Sequence, residues 1–462
     1  MNKKTVKAKS FRKTDFNRRR AEFAACLLPN SIAVIVSNPE RTRSNDTEYP
    51  YRQSSDMLYL SEFPEPESVL VISNLRGCSQ SILFVRKKDK AAEKWTGIRE
   101  GTEGAVMNYG VSEAHEVSEF EKVLADLLER CDNVYYRHAG EHGGNPHFDA
   151  SFDKVWRQNP VALHDPTEIL SDMRQVKSER ELDVMRYSAE VSAMAHVEAM
   201  SLCRPGVFEY QLQATIEAVF GFNGCPSPAY TTIVGGGKNA TILHYVTNGD
   251  VLQDGDLVLI DAGSEYLGYA ADITRTFPVN GKFSDAQLEI YNLVLAAQKA
   301  AIKAAKPGKT LNQIHAIAGN RLRRGLVELG ILPESMKLKS GAEKALARAK
   351  RDGVLGETPH LRRFFMHGTS HWLGLDVHDV PLDRSSRDLP LKPGMVFTVE
   401  PGLYFDFDDE SVPEQYRGIG VRIEDDVVIT DDGCEVLTSS VPKEADEIEK
   451  LMAEAQTRWI QE

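Results

Sequence analysis

The stretch 256–278 reads DLVLIDAGSEYLGYAADITRTFP. Residues 257–260 are uniformly apolar, 263–268 have turn chemistry, and 269–277 are again extended in character, with Ile and two Thr. That pattern predicts a β-hairpin, with Asp261 ending the first arm and Asp272 within the second, so that both carboxylates reach one spot. Upstream, the runs 31–37, 68–72, 81–85 and 133–136 have strand character and alternate with helix-like segments such as 119–130, which predicts an α/β domain. The join to a second domain falls near 164–175. There Ser178 and Glu181 form a capping box, and Leu182, Met185, Ala189, Ala193 and His196 recur at helical spacing, predicting a long amphipathic helix. The expected division is 1–172 and 173–462.

The second domain carries a faint internal duplication. Arg204-Pro205-Gly206 before Gln211-Leu212 is echoed by Lys306-Pro307-Gly308 before Gln313-Ile314. Gly255, Asp261 and Gly263 are likewise echoed, at the same spacing, by Gly394, Glu400 and Gly402. If the halves fold alike about a pseudo-twofold axis, Asp261 and Glu400 occupy equivalent strand ends. A second hairpin, closed by 420–429, then makes Glu424 the counterpart of Asp272. Four converging carboxylates cannot all be buried as bare anions, so a cation or shared protons must lie among them. The segment 366–379 (MHGTSHWLGLDVHD) adds His367, His371 and His378. Carboxylates with an imidazole suit two divalent ions such as Mn, Co or Zn, which together activate water and polarise a carbonyl.

Composition narrows the class. A chain of 462 residues with a net charge of -13 can bury a large core and argues against a generic nucleic-acid binder. No apolar run reaches the roughly 18 residues of a membrane span. Six cysteines without a CxxC pair fit a reducing cytoplasm. The basic start, MNKKTVKAKSFRKTDFNRRR, reads as a solvated lead-in to a helix holding Phe23 and Leu27. Gly235-Gly236-Gly237-Lys238 lacks the spacing of a phosphate-binding loop and is expected to be a mobile loop near the site. The Lys/Ala-rich stretch 337–351 reads as a solvated helix within an insertion at 331–360, with no function to assign to it.

The motifs IDAG (260–263), ADITRTFP (271–278), HGTSHWLGLDVHD (367–379), TVEPGLY (398–404) and VRIEDD (421–426) together resemble the aminopeptidase P (Xaa-Pro aminopeptidase) branch of the pita-bread metallopeptidases. In the first domain, RSNDTEYPYRQSSDMLYLSEFPEP at 43–66 is more similar to aminopeptidase P than to prolidase. The resemblance implies an N-terminal mixed-sheet α/β domain followed by a pita-bread catalytic domain. It assigns the metal ligands to Asp261, Asp272, His371, Glu400 and Glu424, with Asp272 and Glu424 bridging two ions, usually manganese. His244 is implied as a substrate-side histidine, His378 near the scissile carbonyl, His367 and Arg422 around the proline site, and Glu400 as general base. Tyr404, Trp372 and Trp95 are candidate apolar walls for a pyrrolidine ring. The implied activity is removal of an N-terminal residue from peptides with proline second, by a cytoplasmic homodimer or homotetramer. In such an assembly Trp95 and Asp46 are candidates to reach a neighbour's site. Prolidase activity on Xaa-Pro dipeptides is the alternative.

Overall fold

Six short strands build the N-terminal sheet of this computed structural model, which describes residues 10–77, 80–140, 144–336, 359–382 and 384–461. The chain divides into two compact units, Ser10–Arg174 and Gln175–Glu462. In the first, the strand order is Glu113–Glu116, Gln80–Val85, Val69–Ser73, Ser31–Val36, Asn133–Tyr136, Ala162–His164. Ser31–Val36 pairs antiparallel with Val69–Ser73 and parallel with Asn133–Tyr136, so the sheet is mixed. These central strands are covered on both faces, which is why they read as unbroken apolar runs rather than alternating ones. The outer strands EAHE and ALH escape that pattern because they are short and, at the sheet edges, none of their residues is fully buried. Helix Lys13–Cys26 packs Phe16 and Phe23 inward. Trp95, a candidate pocket wall, stands 89% exposed on helix Lys90–Thr96 of this unit. Residues 1–9 and the stretch 337–351 lie outside the described residues.

The second unit shows the same order of elements twice. Helix Glu179–Leu202 begins at Ser178, whose side chain accepts from the Glu181 N–H while Glu181 reaches back to the Ser178 N–H. A turn at Arg204-Pro205-Gly206 then reverses the chain into helix Glu209–Phe222, and a hairpin follows. In the second half, helix Asp285–Ala304, a turn at Lys306-Pro307-Gly308 and helix Leu311–Glu328 precede another hairpin. Gly206 and Gly308 both have left-handed backbones, φ +89° and +79°, a conformation that costs other residues energy. One apolar core runs through both halves, including Ile216, Val258, Phe277, Ile314, Phe397 and Val427.

Each hairpin keeps a single register. In the first, Leu257–Asp261 pairs with Thr274–Pro278, and Ser264–Tyr266 with Tyr269–Ala270. The turn is only Leu267-Gly268, both at positive φ, so half of the expected turn 263–268 is strand. Gly263 serves another purpose: a Cβ there would lie 1.7 Å from the Ala271 carbonyl oxygen. Its bare backbone lets the arms close where Asp272 must point. Gly263→Ala is therefore expected to cost about 1–3 kcal/mol by overpacking and to lower kcat by displacing Asp272, as urea melts and assays would show. Gly235 and Gly236, the first half of the loop expected at 235–238, are instead strand. Ile233–Gly236 is an edge strand on Leu257–Asp261, and Gly236 N–H donates to Glu209. Glycine composition hid it, because only Ile233 and Val234 carry side chains, too few to show an alternation.

Candidate metal centre and active site

The second hairpin pairs Val399 with Asp425 and Gly402 with Arg422, which sets Glu400 opposite Glu424. In the first, Asp261 lies opposite Thr274, and Asp272 is two residues further along on the same face. Thr274 is therefore the register equivalent of Glu424, and Asp272 is its diagonal neighbour. The Thr274 hydroxyl joins the two arms by donating to Glu424 Oε2 at 2.7 Å.

Asp272, His371 and Glu424 converge most closely, each offering a donor atom within 4.8 Å of the others. His371 Nε2 lies 3.4 Å from Asp272 Oδ2 and 3.6 Å from Glu400 Oε1, while its Nδ1 is held 3.0 Å from the Trp372 carbonyl. Asp261 joins through Tyr230, whose hydroxyl is 2.5 Å from both Asp261 Oδ1 and Asp272 Oδ1. Asp261 Oδ2 also accepts from Arg422 Nη2 at 2.7 Å. All five expected ligands line one cavity of about 510 Å³, together with His244, His367, His378, Arg422 and Tyr230.

Tyr404 is not in that wall. It is only 2% exposed, and its hydroxyl accepts from Arg422 Nη1 at 3.0 Å and meets His367 Nε2 at 2.8 Å. It thus orients two cavity residues from behind. Trp372 is likewise buried, its Nε1 donating to Ser386, and it faces an adjoining cavity of about 520 Å³. Sequence reasoning missed Tyr230, Thr274 and Asp426, whose Oδ2 accepts the Asp272 N–H at 3.0 Å. Tyr230 carries no local signal, since its partners are 31 and 42 residues away.

The acids press on one another. Burial, then Asp272 and Glu400, raises Glu424 well above the ordinary carboxylate range, and burial raises Glu400 to about 7. Burial followed by Asp261 raises Asp272. Asp261 goes the other way: burial pushes it up, but the Arg422 charge and hydrogen bonds from Tyr230 and Arg422 outweigh that. For His371, burial opposes protonation, yet Asp272 and Glu400 carry it up to about 9. The cluster calls for positive charge at its centre. Divalent cations meet that demand, and this oxygen-rich set with one imidazole suits them, releasing protons as they bind.

Residues 183–431 match the model of metallopeptidase family M24, and residues 16–135 match the N-terminal domain of aminopeptidase P. The chain belongs to metallopeptidase family M24. It is 46% identical to a Xaa-Pro aminopeptidase of Escherichia coli over 96% of this chain and 98% of that one. It is also 35% identical to human Xaa-Pro aminopeptidase 3, covering 92% of this chain and 82% of that protein. Among solved structures, E. coli aminopeptidase P with the inhibitor Pro-Leu superposes with a TM-score of 0.88 at 45% identity, covering 97% of this chain and 100% of that one. A zinc-substituted form of that enzyme in complex with product gives the same TM-score, 0.88, over 97% and 99% of the two chains. The pita-bread architecture with its N-terminal α/β domain is thereby established, and the chain is a metallo-aminopeptidase.

Proposed function

We propose that this M24 aminopeptidase removes the N-terminal residue from peptides whose second residue is proline, and that Asp261, Asp272, His371, Glu400 and Glu424 hold its divalent ions. The observation that carries the reading is the meeting of all five donors on one cavity wall in a chain 46% identical to a Xaa-Pro aminopeptidase. Bound divalent ions lower the pKa of water and polarise a carbonyl.

The chain's own residues supply the rest. Glu400 takes the proton that the attacking water gives up. His378, lowered to about 4 by burial and by the charges of His371 and His244, is a neutral imidazole at pH 7. With His244 it donates hydrogen bonds to the oxygen of the tetrahedral intermediate, a contribution of about 3 kcal/mol per donor. Arg422, fixed by Asp261, Thr274 and Tyr404, and His367, fixed by Tyr404, shape the proline side. The bond before proline has no N–H, so recognition rests on ring shape, and the departing nitrogen must gain a proton.

The preferred metal is manganese, in keeping with the carboxylate-rich set. The enzyme works in the cytoplasm as a homodimer or homotetramer. Unpaired Cys131, Cys203 and Cys225 support a reducing compartment, and Trp95, Ile98 and Phe222, each 89–90% exposed, supply apolar surface for subunit contacts. Among the described residues, no helix is long and apolar enough to cross a membrane. Xaa-Pro-Yaa-Zaa and Xaa-Pro peptides separate the two substrate readings. The expected result is cleavage of the longer peptide, abolished by chelation and restored best by Mn. Cleavage confined to the dipeptide would make the enzyme a prolidase, and light scattering of the purified protein checks its subunit number.

A further inference from the structure

Among the described residues the His378 imidazole has no hydrogen-bond partner, and its ring meets that of His371 edge-on, the ring centres 4.4 Å apart. Its orientation must therefore come from the backbone on either side. The next residue, Asp379, is buried, and its carboxylate Oδ2 lies 3.0 Å from Lys177 Nζ, both side chains being 1% exposed. The Asp379 N–H donates to the Trp372 carbonyl, closing 372–379 into a loop. Gly374 faces the pair, and a Cβ there would fall 2.1 Å from Asp379 Oδ2 and 3.0 Å from Lys177 Cε. The space a side chain would need is taken by the ion pair.

Lys177 is itself fixed to the segment that precedes the Glu400 strand, which also pairs with the start of this loop through Trp372 and Phe397. Its N–H donates to the Gly394 carbonyl at 2.9 Å, and Val176 bridges to Met395. That segment is the root of strand Val396–Val399, which leads directly into Glu400. Lys177 thus connects the strand behind Glu400 to the loop behind His378. A buried ion pair adds little net stability over apolar residues of the same volume, because desolvation offsets the attraction. What it supplies here is direction, since a charged pair has one satisfactory geometry where two apolar side chains have several.

We infer that Lys177 and Asp379 are positioning residues that hold the His378 imidazole at a fixed distance from the Glu400 strand. The inference rests on the role proposed for His378. Lys177→Met is expected to lower kcat on an Xaa-Pro-Yaa-Zaa peptide by about 10- to 100-fold, the effect of a small misplacement of a catalytic group, with KM and bound metal little changed. Because that variant takes the lysine charge away from the buried Asp379 carboxylate, it is compared with Lys177→Met/Asp379→Asn, which removes both charges. The double variant should recover its melting temperature but not its kcat. In a His378→Ala background, Lys177→Met should cost less than threefold further. A kcat that returns with stability in the double variant would overturn the inference, as would an undiminished loss in the His378→Ala background or a loss of metal from Lys177→Met. His378→Ala without effect on kcat would remove the role on which the tether rests. A wild-type enzyme inactive on the peptide would remove the functional reading itself.

Discussion

Arg275→Met is expected to destabilise the catalytic unit by about 3–5 kcal/mol, the range for breaking a buried pair by removing one partner. Arg275 and Asp425 are both fully buried, 2.8 Å apart, and belong to different hairpins. The guanidinium also donates to the Thr274, Glu424, Val441 and Pro442 carbonyls. Removing it leaves those acceptors without their donor in a place water does not reach. Asp425 shows what the pair does electrostatically: burial pushes its carboxyl up, but Arg275 and Lys443 hold it down at about 2. Lys443 still reaches Asp425 in the variant, so the loss falls toward the lower end of the range. Urea melts at pH 7 measure it, and Arg275→Met/Asp425→Asn should regain part of the stability. A single variant within 1 kcal/mol of wild type would show that the pair does not join the halves.

Glu400→Ala is expected to lower kcat by about 10²–10⁴-fold, the usual contribution of a general base, and to reduce the metal bound per chain. Stability should move the other way or stay level. Burial and neighbouring acids already raise Glu400 to about 7, so the carboxylate is held against its own preference, and deleting it relieves the strain. Assay of an Xaa-Pro-Yaa-Zaa peptide, metal analysis and a melting curve would test the three parts together. Activity within tenfold of wild type would remove Glu400 from the reaction.

Much of the catalytic unit was legible because it repeats. Two Pro-Gly turns at matching places, each followed by a helix and then a glycine-bounded strand ending in a carboxylate, predicted both hairpins, and both are present. The central strands of the first unit were readable from apolar runs, whereas its short edge strands, and the glycine strand Ile233–Gly236 of the second unit, were not. The reason is that apolar periodicity needs several buried side chains in a row: the edge strands have no buried residue, and the glycine strand has only Ile233 and Val234.

Residue types and their short spacings pointed to carboxylates at hairpin ends beside histidines of one glycine-punctuated segment, and hence to a need for positive charge among them. Only the tertiary structure decided which groups support those donors. Tyr230 between two aspartates, Tyr404 behind rather than in the cavity wall, Thr274 opposite Asp261, and Lys177 against Asp379 all depend on how distant segments pack. The Lys177 and Asp379 positions are 202 residues apart. Local sequence carries the preferences of a residue for its immediate neighbours, while a partner hundreds of residues away is chosen by the one packing that satisfies every buried group at once.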